Sequence, residues 1–494
     1  MSADPDNGYQ LISAIFLRLL GVIYLVAFAS ISVQIEGLAG SQGILPIGER
    51  LADYAHDTGV IRYFQVPTLF WLNASDLALT GTAITGCLAA LLVILNFYSR
   101  AGLVIAFVLY LSLLHASQPF LNFQWDTLLL ETGFLAIFLT PRSRIVIWLF
   151  RWLLFRLRFM SGLSKLASGD PAWYGLTALD TYFEVQPLPN PVAWYFHQLP
   201  EWLLRAGTGA TLFVELLVPF MIFLPRRWRF AAAWLTIFFQ LLIILTSNHN
   251  WINFLTIILC LFLFDDRAVR RVTPGFLQAR LKWPATTGQR TDLLVPVATG
   301  LLGLVILVTG TLKLYELGSN QRFEGRLGTA LKYASVYSIV NKYHVFPTMT
   351  TQRVELELLG SQDGLSWNPY RFRYKPDRPN ARPQFIIPHQ PRVDWQMWFV
   401  TLHPRHLPWF ESLLEALLDN SPTVTELLEH NPFPLAPPRY IRVNAYRYNF
   451  TNFEERRQTG NWWKRTALGV FTPLPFIERL DHEPAVTDDT PARP

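Results

Sequence analysis

The sequence is poor in cysteine and in charged residues. Only 2 of its 494 residues are cysteine. Both Cys87 and Cys260 lie within apolar segments, so we expect two small buried side chains and no disulfide between them. Charged residues make up 16% of the chain, whereas hydrophobic residues make up 51%. This balance argues against a cytosolic enzyme and favours an integral membrane protein that also has a soluble part.

The motifs of the common soluble enzymes are missing as well. The sequence has no GxSxG, no P-loop, no HExxH and no GxGxxG at a strand–helix junction. His115, His197 and His249 lack the spacing of metal ligands, and neither a metal nor a cofactor is predicted. The formal net charge of +6 arises from basic residues clustered between apolar segments, so nucleic acid is not an expected partner.

Long apolar runs recur through the first 312 residues. The predicted fold class is a polytopic α-helical membrane bundle of about nine spans, followed by an extracytoplasmic α+β domain. The first run is long enough to span and no clear cleavage site follows it, so we expect a retained helix rather than a signal peptide. The predicted spans are 11–33, 78–97, 101–116, 127–141, 145–163, 207–224, 229–246, 251–264 and 293–312.

Basic residues alternate between connectors in the way that sets membrane orientation. They are scarce in the connectors 34–77, 117–126, 164–206 and 247–250 and concentrated in the others. Because loops rich in Lys and Arg stay in the cytoplasm, the pattern predicts a cytoplasmic N-terminus. An odd number of spans then puts the C-terminal part outside. The basic residues concerned are Arg100, Arg142, Arg144, Arg226, Arg227, Arg229, Arg267, Arg270, Arg271, Arg280 and Lys282.

The chain divides into three predicted parts. They are a transmembrane helical domain at 1–312 with a large outer loop at 164–206, a soluble α+β domain at 313–484 on the outer or lumenal side, and a disordered tail at 485–494. Alternating apolar residues around a Gln-Asp-Gly turn predict a hairpin at the start of the soluble domain. The other predicted elements are helices at 394–402, 407–419 and 422–430 and strands at 439–450 and near 462–472.

The connector 164–206 is dense in Trp, Tyr, Phe and Pro and also carries several polar side chains. A link between two spans needs few polar residues, so we expect this one to form structure at the membrane face. Its aromatic side chains are interpreted either as an interfacial belt or as a binding platform. The candidates for binding a client or substrate are Asp180, Glu184, Gln186, Asn190, Trp194 and His197, with Asn248 and His249 of the next outer turn.

Ionisable side chains within the predicted spans are a second group of candidates. A charge at the bilayer centre costs about 2.5–3.5 kcal/mol on insertion scales, so it has a partner or a purpose. Arg18 could pair with Glu131 or Glu215 and lock helices together, or the three could line a polar cavity. Lys165, near the outer end of its span, either reaches water or acts as a base in a low-dielectric pocket. It is therefore the candidate catalytic residue.

Seven stretches of the sequence are long and unusual in composition, namely QWDTLLLETGFLAIFLTP (124–141), SGLSKLASGDPAW (161–173), DTYFEVQPLPNPVAWYFHQLP (180–200), NWINFLTIILCLFLFDD (250–266), RVDWQMWFV (392–400), HNPFPLAPPRYIRV (430–443) and YRYNFTNFEERRQTGNWWKR (446–465). Through them the chain resembles the lipase maturation factor family over nearly its whole length. In animals that family comprises ER membrane proteins that secreted dimeric lipases need to fold and assemble, with a C-terminal domain in the lumen. The resemblance implies secreted protein clients such as lipases, in contact with membrane lipid.

The sequence departs from that family in its cysteines. Animal members carry cysteines outside the membrane, and this chain has none there. A redox or disulfide-linked part of the family role is therefore not expected. The missing cysteines, together with the lack of a recognisable ER retention signal, favour a member from a bacterial inner membrane.

The membrane part contains the element GLSKL at 162–166, followed by a turn with Asp and Trp. In this element it is similar to the membrane domain of vitamin K-dependent gamma-glutamyl carboxylase. In that enzyme the lysine of a Gly-x-x-Lys-Leu motif acts as a base toward the quinone cofactor. The resemblance transfers this role to Lys165 alone.

Two functions of different kinds follow from these observations. The first is a lipase maturation factor-like membrane protein that assists the folding or maturation of secreted proteins, with exposed aromatic side chains engaging the client. The alternative is a membrane-embedded enzyme acting on a lipid or quinone-like substrate, with Lys165 as base. A polar cavity around Lys165 and Glu131 would favour the enzyme, whereas an apolar groove on the outer face would favour the folding factor.

Overall fold

A computed structural model describes residues 8–140, 143–281, 294–473 and 476–478. The N-terminal region is helical. Its helices are α1 (Gln10–Ser32), α2 (Ile35–Ala39), α3 (Ile47–Thr58), α4 (Arg62–Gln65), α5 (Asp76–Ile94), α6 (Ser99–Ala116), α7 (Gln124–Ile137), α8 (Arg144–Ala167), α9 (Pro171–Tyr174), α10 (Ala178–Val185), α11 (Pro191–His197), α12 (Glu201–Leu216), α13 (Arg226–Thr246), α14 (Ile252–Leu259), α15 (Asp266–Val272), α16 (Gly275–Arg280) and α17 (Leu294–Ser319).

The C-terminal region combines helices with a sheet. Its elements are α18 (Gly325–Val336), β1 (Arg353–Ser361), β2 (Asn368–Pro369), α19 (Arg392–Val400), α20 (Leu407–Leu418), α21 (Pro422–Thr425), β3 (Tyr440–Phe450), α22 (Phe453–Thr459), β4 (Trp463–Val470) and β5 (Phe476–Glu478). Short 3-10 helices lie at Gly59–Ile61, Leu69–Trp71, Val218–Phe223, Cys260–Leu263 and Pro404–His406.

The sheet is antiparallel, with the strand order β2-β1-β3-β4 and with β5 paired to β3. Along β3 the side chains alternate, so that Ile441 and Val443 face the core while their neighbours are more exposed. Helix α20 packs its apolar stripe, which includes Leu413 and Leu417, into the same core. The strands and helices predicted for this region are present, but their ends differ. The second strand of the predicted hairpin is only the two-residue β2, and the third predicted helix is only the short α21. The predicted tail lies outside the described residues.

Six helical segments among the described residues are long and apolar enough to cross a membrane, compared with the nine predicted spans. They are α1, α5, α6, Glu201–Phe223, α13 and Val297–Ser319. Two of the other predicted spans fall short of the length needed. Helix α7 has 14 residues and therefore reaches only about 21 Å, against roughly 30 Å of hydrocarbon. The apolar helix Ile252–Leu263 is also shorter than 18 residues.

The third of these remaining predicted spans corresponds to helix α8, which is long enough but more highly charged than the six candidate spans. It contains Arg151, Arg156, Arg158 and Lys165 among its 24 residues. Membrane-spanning helices are thus present, whereas the number nine and the sidedness derived from it remain predictions. The final long helix also continues to Ser319, past the predicted domain border at 312.

The C-terminal region packs directly on the helical bundle. A single apolar core includes residues of both regions. Trp125 of α7 meets Trp395 of α19 with ring centroids 5.0 Å apart, and Phe120 meets Trp409 of α20 at 5.4 Å. These edge-to-face contacts add specific geometry to the burial of large rings. The bundle and the sheet are consequently held in one arrangement, which brings the connectors between helices against the C-terminal region.

Candidate functional site

The connector 164–206 folds into three short helices, α9, α10 and α11. Asp170 accepts a hydrogen bond from the backbone N–H of Ala172 at 2.8 Å, and Asn190 accepts one from Ala193 at 3.0 Å. Each is an N-cap, and a proline follows at the first helical position. Two polar residues of the connector thus begin α9 and α11, and the prediction of structure at this point agrees with the observed helices.

Glu184 and Gln186 lie at the contact between the connector and the sheet. The carboxylate of Glu184 accepts hydrogen bonds from the Asn449 side chain at 2.9 Å and from the Phe450 backbone N–H at 2.5 Å. The buried guanidinium of Arg353 donates to the carbonyl of Glu184 at 3.0 Å and also to that of Gln186. Charge-assisted hydrogen bonds are among the stronger ones, so these residues fasten the connector to β1 and β3.

Asn248 makes an equivalent junction from the turn after α13. Its Nδ2 donates to the carbonyls of Leu188 at 3.0 Å and Gln384 at 2.8 Å, and its Oδ1 accepts from the Ile386 N–H at 3.1 Å. The side chain is buried. It therefore ties the connector, the turn and the C-terminal region together.

The remaining candidates of the connector differ in exposure. Trp194 is fully buried with Trp462, Trp463 and other aromatic rings. His197 Nε2 lies 3.7 Å from a carboxylate oxygen of Glu184. Burial lowers the pKa of His197, and the carboxylates of Glu184 and Asp180 oppose this effect. Asp180 is half-buried, and three aromatic side chains of the connector are exposed, namely Tyr174, Tyr195 and Trp202.

Glu131 is the centre of a buried polar cluster. It forms an ion pair with Arg156, and both side chains are fully buried. Its Oε2 also accepts hydrogen bonds from the backbone and side chain of Asn341, both at 3.0 Å, and from the Tyr343 hydroxyl at 2.7 Å. Arg18 is not part of this cluster, since it donates to the Ala14 carbonyl at 2.6 Å. Glu131 thus joins α7, α8 and the segment after α18.

A second buried carboxylate, Glu215 of α12, is shared by two cations of α8. Lys165 Nζ lies 2.8 Å from its Oε2, and Arg158 lies 3.2 Å from its Oε1. Lys165 Nζ also donates to the Val345 carbonyl at 2.8 Å and has longer contacts of 3.2 and 3.3 Å with Ser161. The sequence analysis missed Arg156 and Arg158. The run FRLRF within the predicted span 145–163 could have revealed them, since it places two arginines in an apolar segment.

Lys165 and Glu215 lie at one end of a cavity of about 480 Å³, which we call the membrane cavity. Its walls come mainly from α12, α13 and the connector helices, and most of its lining is apolar. Tyr182 and His249 contribute polar groups and contact each other, with the Tyr182 hydroxyl 3.2 Å from His249 Nε2. The cavity is lined by Lys165, Trp173, Leu179, Tyr182, Phe183, Phe196, Leu199, Leu203, Leu204, Ala206, Gly207, Ala210, Thr211, Glu215, Phe239, Leu242, Ile243, Thr246, His249, Val345 and Phe346.

A second cavity of about 420 Å³, the outer groove, lies between the bundle and α19. His249, Val345 and Phe346 separate it from the membrane cavity, since they line both. Aromatic side chains are numerous in its wall, which also carries His403, Arg405 and His406. The lining residues are Asn122, Phe123, Gln124, Trp125, His249, Ile252, His344, Val345, Phe346, Pro347, Thr348, Thr350, Trp395, Trp398, Phe399, Leu402, His403, Arg405 and His406.

The electrostatics of the outer groove favour a neutral His406. Burial, Arg405 and His403 lower the pKa of His406 to about 4. Its Nε2 lies 3.1 Å from Arg405 Nε, which can only donate, so this ring nitrogen is the acceptor. In the part of the chain that the structure describes, no group of three or more His, Cys, Asp or Glu side chains could hold a metal ion. The arrangement is therefore one of apolar and aromatic binding surfaces beside buried ion pairs.

Comparison with known proteins identifies relatives across both regions. The family model described as the lipase maturation factor transmembrane domain matches residues 11–271, and that of the lipase maturation factor C-terminal domain matches residues 339–473. Lipase maturation factor 2 of Xenopus tropicalis is 33% identical over 97% of this chain and 85% of its own length. Lipase maturation factor 1 of Mus musculus is 34% identical over 96% of this chain and 88% of its own length. No solved structure matches this chain.

Proposed function

The chain belongs to the lipase maturation factor family, and we propose that it assists the folding or maturation of secreted proteins, lipases among them, at the outer face of its membrane. The observation that carries this proposal is the outer groove. Its wall includes Trp398 and Phe399 of α19 and Phe123 before α7. Aromatic side chains provide much of the binding energy at protein interfaces. A groove of this kind suits an extended apolar segment of an incompletely folded client.

The contacts of the C-terminal region support a location outside the cytoplasm. Each of the four connectors with few basic residues touches that region. Gln34 donates to the Gln390 carbonyl at 2.9 Å, and Asp126 forms an ion pair with Arg392 at 2.8 Å. Glu184 and Asn248 make the contacts to β3 and to the segment before α19 described above. If the arginine distribution assigns these connectors to the outside, the C-terminal region and the outer groove lie there too. The membrane in question would be the inner membrane of a bacterium, or the ER membrane of a eukaryote.

The alternative, an enzyme with Lys165 as base, has less support. Three oxygens that can only accept surround Lys165 Nζ, namely the Ser161 carbonyl, the Val345 carbonyl and the Glu215 carboxylate. The Val345 carbonyl and the Glu215 carboxylate are the nearest, at 2.8 Å each, and the carboxylate favours the charged ammonium form of Lys165. An ammonium group has no lone pair with which to take a proton. Glu131 also lies in a filled polar cluster and not in the membrane cavity.

Changes to the outer groove test the proposal, with crosslinking to a client and the yield of active client as the measurements. The variant Trp398→Ala removes an aromatic wall of the groove, and the photoreactive amino acid p-benzoylphenylalanine in place of Leu402 probes contact with the client. We expect crosslinks to a newly made secreted lipase and a several-fold loss of active lipase for Trp398→Ala at equal levels of the membrane protein.

Leu435 provides the matched control, because it is 97% exposed and does not line the groove. The same photoreactive group at position 435 should give no lipase crosslink, and Leu435→Ala should leave the yield unchanged. Full lipase yield with Trp398→Ala, together with no crosslink from position 402, would contradict the proposal.

A further inference from the structure

The membrane cavity has a polar end and an apolar end. At the polar end lie Lys165 and Glu215, with Trp173 beside them, and Lys165 Nζ is 5.0 Å from the centre of the Trp173 ring. From there the cavity runs between α12 and α13. Such a shape and polarity suit an amphiphile with a small head and a long apolar chain.

The apolar end is a slot between two helices that face the membrane. Helix α12 lines it with small side chains, which include Ala206, Gly207 and Ala210, and α13 lines it with one helical face that includes Phe239 and Leu242. Ala206, Ala210 and Leu242 line the slot and are also exposed on the bundle surface. The slot is therefore accessible from the lipid phase.

The polar end, together with Arg158, which contacts Glu215 but does not line the cavity, carries an excess of positive charge. Arg158 and Lys165 share the one carboxylate of Glu215, and all three side chains are buried. Neither cation forms an ion pair with a second carboxylate among the described residues. Removing charges from water is costly unless they are paired. A ligand with a single negative charge would balance this group.

Two hydrogen-bond donors remain for such a head group. The Nε1–H of Trp173 is buried and has no hydrogen-bond partner in the part of the chain that the structure describes. The Lys165 ammonium is held closely by Val345 and Glu215, at 2.8 Å each, but Ser161 lies at 3.2 Å or more. Its third N–H can turn from Ser161 to a better acceptor.

We propose that the membrane cavity binds a long-chain fatty acid taken from the membrane, with its carboxylate at Lys165 and Trp173 and its acyl chain between α12 and α13. A fatty acid has the one negative charge and the single chain that this site can accept. A cavity of about 480 Å³ suits one chain better than the two chains of a phospholipid. This binding site is separate from the outer groove and does not depend on the client.

The test uses the purified full-length protein in non-ionic detergent and a long-chain fatty acid that carries a diazirine in mid-chain. After illumination, labelled peptides are identified by mass spectrometry, and unlabelled oleic acid and oleyl alcohol compete with the probe. We expect labelling on α12 and α13, and about tenfold stronger competition by the acid, since a charge-assisted hydrogen bond distinguishes the two. Equal competition by acid and alcohol, or labelling elsewhere, would overturn the proposal.

Three variants distinguish binding of the carboxylate head group from binding of the acyl chain. Lys165→Met should abolish the preference for acid over alcohol, and Ala210→Trp should fill the slot and abolish labelling by the probe. If Lys165→Met does not fold, Trp173→Phe, which removes only the N–H donor, should lower the preference several-fold. Leu301→Trp is the control, because Leu301 is exposed on α17 and does not line the cavity. Undiminished labelling of Ala210→Trp, or a bound phospholipid that oleic acid does not displace, would contradict the assignment.

Discussion

Arg392 of α19 and Asp126 of α7 form a two-pronged ion pair across the junction between the C-terminal region and the bundle. Nη1 lies 2.8 Å from Oδ2 and Nη2 lies 2.9 Å from Oδ1, and both side chains are buried. The Tyr110 hydroxyl donates to the same carboxylate at 2.6 Å, and Arg392 also donates to the Phe120 carbonyl at 3.1 Å. Planar guanidinium and carboxylate groups match in this geometry, which fixes the orientation of α19 as well as its position.

Breaking this pair should destabilise the protein strongly. Removal of one partner leaves a buried charge uncompensated, so Arg392→Met should lower the free energy of unfolding by about 3–5 kcal/mol. Denaturant unfolding in detergent measures the change. The exposed pair Arg378–Glu429, at 3.1 Å, is the control, because Arg378→Met should cost only about 0–1 kcal/mol. Equal effects of the two variants would contradict the structural role of Arg392.

The Glu131 cluster gives a finer test with two buried tyrosines. The Tyr343 hydroxyl donates to the Glu131 carboxylate at 2.7 Å, so Tyr343→Phe should cost about 1.5–3 kcal/mol. The Tyr370 hydroxyl lies 3.4 Å from the neutral carbonyl of Leu417, so Tyr370→Phe should cost clearly less, about 1 kcal/mol or below. Thermal unfolding of both variants compares them directly. A larger loss for Tyr370→Phe would rule out Glu131 as the stronger acceptor.

Acid should weaken the outer groove through His406. Its pKa in the folded protein is lowered to about 4, whereas that of an unfolded histidine is about 6.5. Between these values the unfolded chain binds more protons, so this contribution to stability is present above about pH 6.5 and is lost as the pH falls toward 4. When unfolding is measured from pH 7 to pH 4, the free energy of unfolding should therefore fall less in His406→Gln than in the parent protein.

The control for this experiment is His430→Gln, since His430 is exposed outside the groove. That variant should retain the pH dependence of the parent protein. A His406→Gln protein with an undiminished acid response would mean that other groups, and not His406, cause the loss.

Two glycines of α5 test the packing of the first membrane helices. A Cβ added at Gly86 would lie 2.2 Å from the buried ring of Phe28 on α1, whereas a Cβ at Gly81 meets no atom within 4 Å. Gly86→Ala should therefore cost about 1–3 kcal/mol through overpacking. Gly81→Ala should be neutral or should stabilise by up to about 1 kcal/mol, since alanine favours the helix. The melting temperature should fall for Gly86→Ala and should stay the same or rise for Gly81→Ala. A Gly86→Ala protein as stable as Gly81→Ala would exclude the close contact of α1 and α5.

The parts of the fold that could be predicted from sequence are those encoded locally. Apolar runs predict α1, α5, α6 and α13 because a helix of membrane length needs about 20 consecutive apolar residues. Helix α8 is long enough to span but is more highly charged than the six candidate spans, and two of its arginines pair with the buried carboxylates Glu131 and Glu215. The hydrophobic periodicity and the composition of a segment predict its own structure, but they do not indicate which segments contact each other in the fold.

The candidate site depended on such long-range contacts. Glu184 and Phe450 are 266 positions apart in the chain, and Glu131 and Tyr343 are 212 apart. The connector was a candidate for binding a client because it is dense in aromatic and polar residues. Several of its polar residues contact the C-terminal strands instead, Glu184 among them. The cavity at Lys165 could be anticipated from its lysine. The outer groove could not, since it exists only where α19 meets the bundle.

The buried Arg392 also sets an order of assembly. Its guanidinium and its backbone N–H find acceptors on Phe120, Asp126 and Gln34, all of which belong to the helical region. Helix α19 can thus reach its final place only after these segments have been synthesised and inserted. Biogenesis should therefore end with the closure of the C-terminal region onto a finished bundle, and a fragment that begins after α17 should not reach this structure alone.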